Sequence, residues 1–219
     1  MEIKAVLFDC DGLMFNTEQF SQKMWQDEAA KYKTVIPASF FTAITGAKAD
    51  MKMTDFYHTI PHFREIYNVM HWKRFDLKYW ASFYPDGLNK KGLMSLLDYL
   101  DEHQIKKAVC SSSSKEYVET LLETVSKPMH FDAVIGGDMV SRGKPDPEVF
   151  LKGAAQLQTP AANCMVLEDS KLGIMAAKAA GMHSCFIQDT IEPDEEMRPY
   201  IEFQKNDLSQ VIGLLNEGE

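Results

Sequence analysis

Residues 3–8, Ile-Lys-Ala-Val-Leu-Phe, form a short apolar run that stops at two aspartates one residue apart, Asp9-Cys10-Asp11-Gly12. Apolar side chains at every position from Ala5 to Phe8 leave a strand no solvent face, so it belongs inside a parallel sheet covered on both sides. Carboxylates at the carboxyl end of such a strand lie in the crevice where open α/β sheets bind ligands. Two like charges that close repel, and are held together by a cation or a shared proton. A polar Asp-x-Asp-Gly turn accounts for the same four residues, so the remaining motifs have to decide between turn and site.

Four further apolar runs read as strands of the same sheet: Lys107–Cys110, Ala133–Ile135, Cys164–Leu167 and His183–Ile187. Helical patterns separate them, as a βαβ layout requires. Val118, Leu121, Leu122 and Val125 make one apolar stripe; Leu172, Met175, Ala176, Ala179 and Ala180 make another, with Gly181 placed as its C-terminal cap. The segment 207–215 predicts a short closing helix. The fold class expected is α/β, a doubly wound, Rossmann-like parallel sheet.

The stretch from Phe15 to Tyr84 breaks this alternation. It is helix-like and holds most of the chain's aromatic residues, among them Trp25, Phe40, Phe41, Trp72 and Trp80. It is far longer than a crossover between neighbouring parallel strands needs. The expected organisation is therefore an α/β core made of residues 1–14 and 86–219, with a small helical domain, 15–85, inserted after the aspartate pair. Pro85-Asp86-Gly87 reads as the returning turn.

Composition narrows the function. The chain has 23 basic and 32 acidic residues, a formal net charge of −9, which disfavours nucleic acid and anionic membranes as partners. No apolar run reaches the roughly 18 residues of a transmembrane helix, and the start of the chain has no signal-peptide layout, so a cytoplasmic address is expected. Cys10, Cys110, Cys164 and Cys185 lie in or beside strand-like runs without metal-ligand spacing, and read as buried thiols in a reducing compartment. His58 and His62 flank Pro61 and read as a surface pair.

Each later strand end contributes one polar group. The second strand runs into Ser111-Ser112-Ser113-Ser114-Lys115-Glu116; Ser113 and Glu116 have capping-box spacing, and a helix start with hydroxyls suits an anion such as phosphate. Beyond the third strand comes Gly143-Lys144-Pro145-Asp146-Pro147, where Asp146 and Pro147 predict a helix start and the proline stiffens the placement of Lys144. The fourth strand ends in Glu168-Asp169-Ser170, two adjacent carboxylates across the sheet from Asp9 and Asp11. A hard divalent cation such as magnesium takes one or two carboxylates together with phosphate oxygens. Each feature alone has an ordinary explanation as a cap or a solvated loop. Converging on one crevice, they form a phosphoryl-transfer site.

These motifs resemble the haloacid dehalogenase superfamily, in particular its phosphatase and β-phosphoglucomutase-like branch with a helical cap. The resemblance runs from end to end and rests on Asp9-Cys10-Asp11-Gly12, Ser112, Lys144 in Gly-Lys-Pro-Asp-Pro, and Glu168-Asp169-Ser170-Lys171-Leu172-Gly173. It implies Asp9 as the nucleophile that becomes an aspartyl phosphate, and Asp11 as general acid and then base. Ser112, Ser113 and Lys144 would bind the phosphate. Magnesium would be held by Asp9, the carbonyl of Asp11 and Asp169, with Glu168 joining or supporting that set. A small phosphorylated metabolite is the implied partner of a monomeric enzyme. Asn16 stands where many relatives carry aspartate, and Ser21 where the sugar phosphomutases carry a cap histidine. Ala49, in Thr45-Gly46-Ala47-Lys48-Ala49-Asp50, replaces the arginine with which they grip a second phosphate. Lys48 is a point charge and lacks the arginine fork. A phosphatase is therefore preferred to a hexose phosphomutase. A phospho-accepting receiver domain, whose aspartate sits on a middle strand and which has no insert, fits less well.

Overall fold

The computed structural model describes residues 2–44, 53–73, 76, 88–123, 129–188 and 192–216. Six strands form one sheet in the order β3-β2-β1-β4-β5-β6. They are β1 (Ala5–Phe8), β2 (Lys106–Cys110), β3 (Ala133–Ile135), β4 (Cys164–Glu168), β5 (His183–Ile187) and β6 (Phe203–Lys205). Every neighbouring pair is parallel. In register, Phe8 stands between Val109 and Leu167, so the three central strands end level with one another. The chain runs outward from β1 through β2 to β3, then crosses back to the other side of β1. This reversal of strand order lies at the β1/β4 boundary, where doubly wound sheets bind ligands.

Alternation along β1 shows why both faces had to be apolar. Val6 and Phe8 pack into one buried cluster, and Ala5 and Leu7 into another. The first face is covered by α5 (Leu93–Glu102), α6 (Lys115–Leu122) and α9 (Val211–Asn216); the second by α7 (Glu148–Gln156) and α8 (Lys171–Ala179). All four cysteines are buried and none forms a disulfide. Burial pushes the Cys164 thiol up to about 11 and the Cys185 thiol to about 12, so both stay protonated and unreactive near neutrality.

Between β1 and α5 the described chain is helical: α1 (Thr17–Ala30), α2 (Ala38–Ile44), α3 (Met53–Phe56) and α4 (Phe63–Lys73). Trp25 stacks on Phe63 with centroids 5.6 Å apart and meets Phe40 edge-on at 4.8 Å. The buried Glu28 carboxylate accepts from Lys31 at 2.7 Å and from Lys73 at 2.8 Å, which ties α1 to α4. Burial alone would raise this carboxyl; the two lysines outweigh it and hold it below its usual range. Where the chain leaves and re-enters the sheet, the two passes lie side by side. The Asn16 N–H donates to the Leu88 carbonyl and the Lys90 N–H to the Met14 carbonyl, each at 2.8 Å. Pro85-Asp86-Gly87 and Trp80 lie outside the described residues, as does Val125 of the first apolar stripe.

Several sequence expectations shift. The strand β6 was not foreseen: Phe203-Gln204-Lys205 is a three-residue edge with no buried side chain, which leaves no apolar run to read. The buried face of α8 passes through Gly173, Ile174, Ala176, Ala177 and Ala180, and Ala179 is exposed. Gly181 does close that helix, at φ +69°, with the Met182 N–H returning to the Ala177 carbonyl; this is a left-handed C-terminal cap. The helix after β2 is capped by Ser114, whose hydroxyl accepts from the Tyr117 N–H, rather than by Ser113. The hydroxyl of Ser113 is committed elsewhere, as described below.

Candidate active site

Asp9 directly follows β1, and its N–H donates to the Leu167 carbonyl of β4 at 3.1 Å, so backbone pairing places its buried carboxylate at the switch point. Lys144 reaches it from the loop before α7. Its Nζ lies 2.5 Å from Asp9 Oδ1 and 2.5 Å from Glu168 Oε1. The side chain is 1% exposed, and the ammonium also stands 5.0 Å above the Phe150 ring. The loop that carries it is braced by Glu148, whose carboxylate accepts from the N–H groups of Ser141 and Arg142. Those two bonds, with help from Lys152, lower the Glu148 carboxyl to about 2. Asp146 Oδ1 accepts from the Glu148 N–H at 3.0 Å, so Asp146 caps the helix from one residue further out than its pairing with Pro147 predicts.

Glu168 ends β4, and both of its oxygens are engaged. Oε1 holds Lys144, and Oε2 accepts from the N–H and the hydroxyl of Ser170, each at 2.9 Å. Ser170 in turn caps α8 by accepting from the Gly173 N–H at 3.0 Å. A Cβ on Gly173 would land on the Glu168 carboxylate, so this helix position admits no side chain while Glu168 stays where it is. Gly173→Ala is expected to cost about 1–3 kcal/mol, as overpacking of a rigid site does, and to lower turnover by displacing Glu168 from Lys144. Chemical denaturation alongside an activity assay checks both; an alanine variant of full stability and rate would refute the close approach.

The electrostatics follow from burial. Burial pushes the Asp9 carboxyl up from about 3.8 to about 8; Lys144 pulls it down, and the charges of Glu168 and Asp11 push it up again. Burial disfavours the Lys144 ammonium as well, yet its two carboxylates outweigh that and the net push is upward. Lys144 is therefore firmly cationic, and Asp9 is the strained member of the group because it shares one lysine with Glu168. Asp9, Glu168 and Asp169 are all buried and each offers an oxygen within 4.8 Å of the others. Three acidic oxygens beside a single lysine suit a hard divalent cation, which would return Asp9 to its ionised form.

The loop after β2 supplies the hydroxyls. Ser112 borders a small cavity together with Gly143 and Lys144, which brings the predicted phosphate-binding serine and lysine together. The Ser113 hydroxyl instead donates to Asp11 Oδ2 at 2.8 Å, and its N–H donates to Ser111 Oγ at 3.0 Å. The Lys115 N–H is taken by Asp138 Oδ1 at 2.9 Å. Three donors at this helix start, those of Ser113, Lys115 and Tyr117, thus face protein acceptors. Asp11 is half-buried, and its Oδ1 accepts from the Tyr117 hydroxyl at 3.1 Å. Sequence reasoning missed Tyr117, whose only signal is an aromatic hydroxyl on the first turn of the helix that follows the serines. Gly12, next to Asp11, donates its N–H to the Thr17 hydroxyl at the start of α1, at 3.1 Å. Lys48 and Ala49 lie outside the described residues.

Known proteins resemble this chain along most of its length. Residues 6–187 match the family model described as haloacid dehalogenase-like hydrolase. The validoxylamine A 7'-phosphate phosphatase of Streptomyces hygroscopicus subsp. limoneus is 28% identical over 186 residues, covering 82% of this chain and 83% of that protein. The β-phosphoglucomutase of Bacillus subtilis is 28% identical over 186 residues, covering 82% and 81%. The crystal structure of β-phosphoglucomutase from Clostridium difficile superposes with a TM-score of 0.72 at 22% identity, over 99% of this chain and 98% of that one. Among the described residues no helix is long and apolar enough to cross a membrane. The chain belongs to the haloacid dehalogenase-like hydrolases, in their phosphatase and β-phosphoglucomutase-like branch, as an enzyme of the phosphatase type.

Proposed function

We propose that this protein is a magnesium-dependent phosphatase that hydrolyses a small phosphate monoester, such as a sugar phosphate, through an aspartyl phosphate on Asp9. The observation that carries this reading is the buried Lys144 held between Asp9 and Glu168, beside Asp169, at the β1/β4 switch point. Asp9 attacks phosphorus; the bond to the ester oxygen breaks, and Asp11 gives that oxygen its proton as the alcohol leaves. Water then attacks the phosphorus of the aspartyl phosphate and gives its proton to Asp11. The bond to Asp9 breaks, releasing inorganic phosphate. Ser112 and Lys144 hold the phosphoryl oxygens. Asp9 and Asp169, with the Asp11 carbonyl and with Glu168 behind them, would hold magnesium, which would neutralise charge on the phosphoryl group. The inserted helical segment, residues 15–85, acts as the cap that selects substrate and excludes water.

A second reading, a β-phosphoglucomutase-type isomerase, has the similarity to that enzyme in its favour. In it, a sugar hydroxyl replaces water as the acceptor. Ala49, standing in place of a second phosphate-gripping arginine, weighs against it. Both readings are tested by supplying β-glucose 1-phosphate and magnesium and measuring inorganic phosphate and glucose 6-phosphate in one reaction. Phosphate without glucose 6-phosphate is the expected result. Dominant glucose 6-phosphate would establish the mutase instead, and the absence of both products, on this ester and on general phosphatase substrates, would sink the proposal.

A further inference from the structure

Tyr117 is 5% exposed and packs in the same apolar cluster as Phe8 and Val118. A buried phenol needs a hydrogen-bond partner, and this one finds a carboxylate, Asp11 Oδ1, while Ser113 donates to Oδ2 of the same group. With a donor on each oxygen, the plane of the carboxylate is defined. The donors are themselves held: the Ser113 N–H by Ser111 Oγ, the Ser113 carbonyl by the Gly137 N–H at 2.7 Å, and the Tyr117 N–H by the cap Ser114. A residue on the first helical turn points its side chain back toward the N-terminus, which aims Tyr117 at the strand ends. Hydroxyls can also accept as well as donate. The same pair can therefore hold Asp11 both before and after it gives up a proton, as backbone N–H donors could not.

We infer that Tyr117, with Ser113, is a positioning residue that orients Asp11 for proton delivery to the leaving oxygen; this rests on the phosphatase reading above. The test compares kcat/KM on two esters in the presence of magnesium. β-Glycerophosphate has an alkoxide leaving group that needs a proton, whereas p-nitrophenyl phosphate releases a stable phenolate that needs little help. Tyr117→Phe keeps the ring and removes one hydroxyl. It should lower kcat/KM on β-glycerophosphate by about 10-fold or more, a fraction of what a full general acid contributes, and leave p-nitrophenyl phosphate within about 2-fold. Ser113→Ala, outside the apolar core, should likewise lose more on β-glycerophosphate than on p-nitrophenyl phosphate. Equal losses on both esters in these variants would mean a purely structural phenol and overturn the inference while leaving the phosphatase reading intact. A wild-type protein that cleaves neither ester would overturn both.

Discussion

Asp9→Asn is expected to abolish phosphate release, by at least about 10⁴-fold in kcat, the scale on which removal of a covalent nucleophile acts. The same substitution should not weaken the fold. Burial, with the charges of Glu168 and Asp11 beside it, pushes the Asp9 carboxyl up to about 8 against the pull of Lys144. Its folded pKa is raised, so its contribution to stability is fully present below about 3.8 and is lost as pH rises through about 8. Without divalent metal, the asparagine variant should therefore match the wild type near pH 4 and become progressively the more stable of the two toward pH 8. Thermal melts in chelator across that range, set beside turnover with magnesium, read out both halves. A dead variant that is also less stable at pH 8 would mean that Asp9 is mainly a structural anchor for Lys144.

Lys144→Met carries the opposite signature. Methionine fits the slot beside Phe150, but leaves Asp9 and Glu168 buried with no cation between them. Removing one partner of a buried ion pair typically costs about 3–5 kcal/mol. A loss of that size is expected at neutral pH in chelator, along with loss of activity, and chemical denaturation measures it. A cost below about 1 kcal/mol, the range of exposed pairs, would show that the carboxylates do not depend on the lysine. Asp9→Asn and Lys144→Met thus share a catalytic defect and part company on stability, which separates the strained group from the one that relieves the strain.

The legibility of this chain follows from where each signal resides. β1 to β5 could be read because buried parallel strands are locally apolar, and Lys144, Glu168 and Asp169 because their neighbours are turn and cap residues with few alternatives. The edge strand β6 lies at the rim with no side chain buried, and so carries no pattern. The choice of Ser114 over Ser113 as helix cap is decided by Asp11, some hundred residues away in sequence; capping-box spacing cannot contain it. Tyr117 belongs to the same case. Its apolar neighbours mark it as core, and only the fold reveals that its hydroxyl meets a carboxylate. The stretch after the aspartate pair was legible as a helical interruption rich in aromatics, because its rings pack on one another, while a choice of substrate leaves no pattern of that kind.

The paired passes of chain at Met14–Asn16 and Leu88–Lys90 have an evolutionary consequence. A segment whose two ends leave and return side by side can be exchanged for another without altering the strand order of its host, as insertions at adjacent chain ends generally can. On the proposed reading the host would keep Asp9, Lys144 and Asp169, and with them the choice of bond to be broken. The guest would decide which molecule brings that bond. Chemistry and diet can thus be inherited separately, and a lineage holding this sheet could acquire new substrates by replacing helices rather than by re-inventing a reaction.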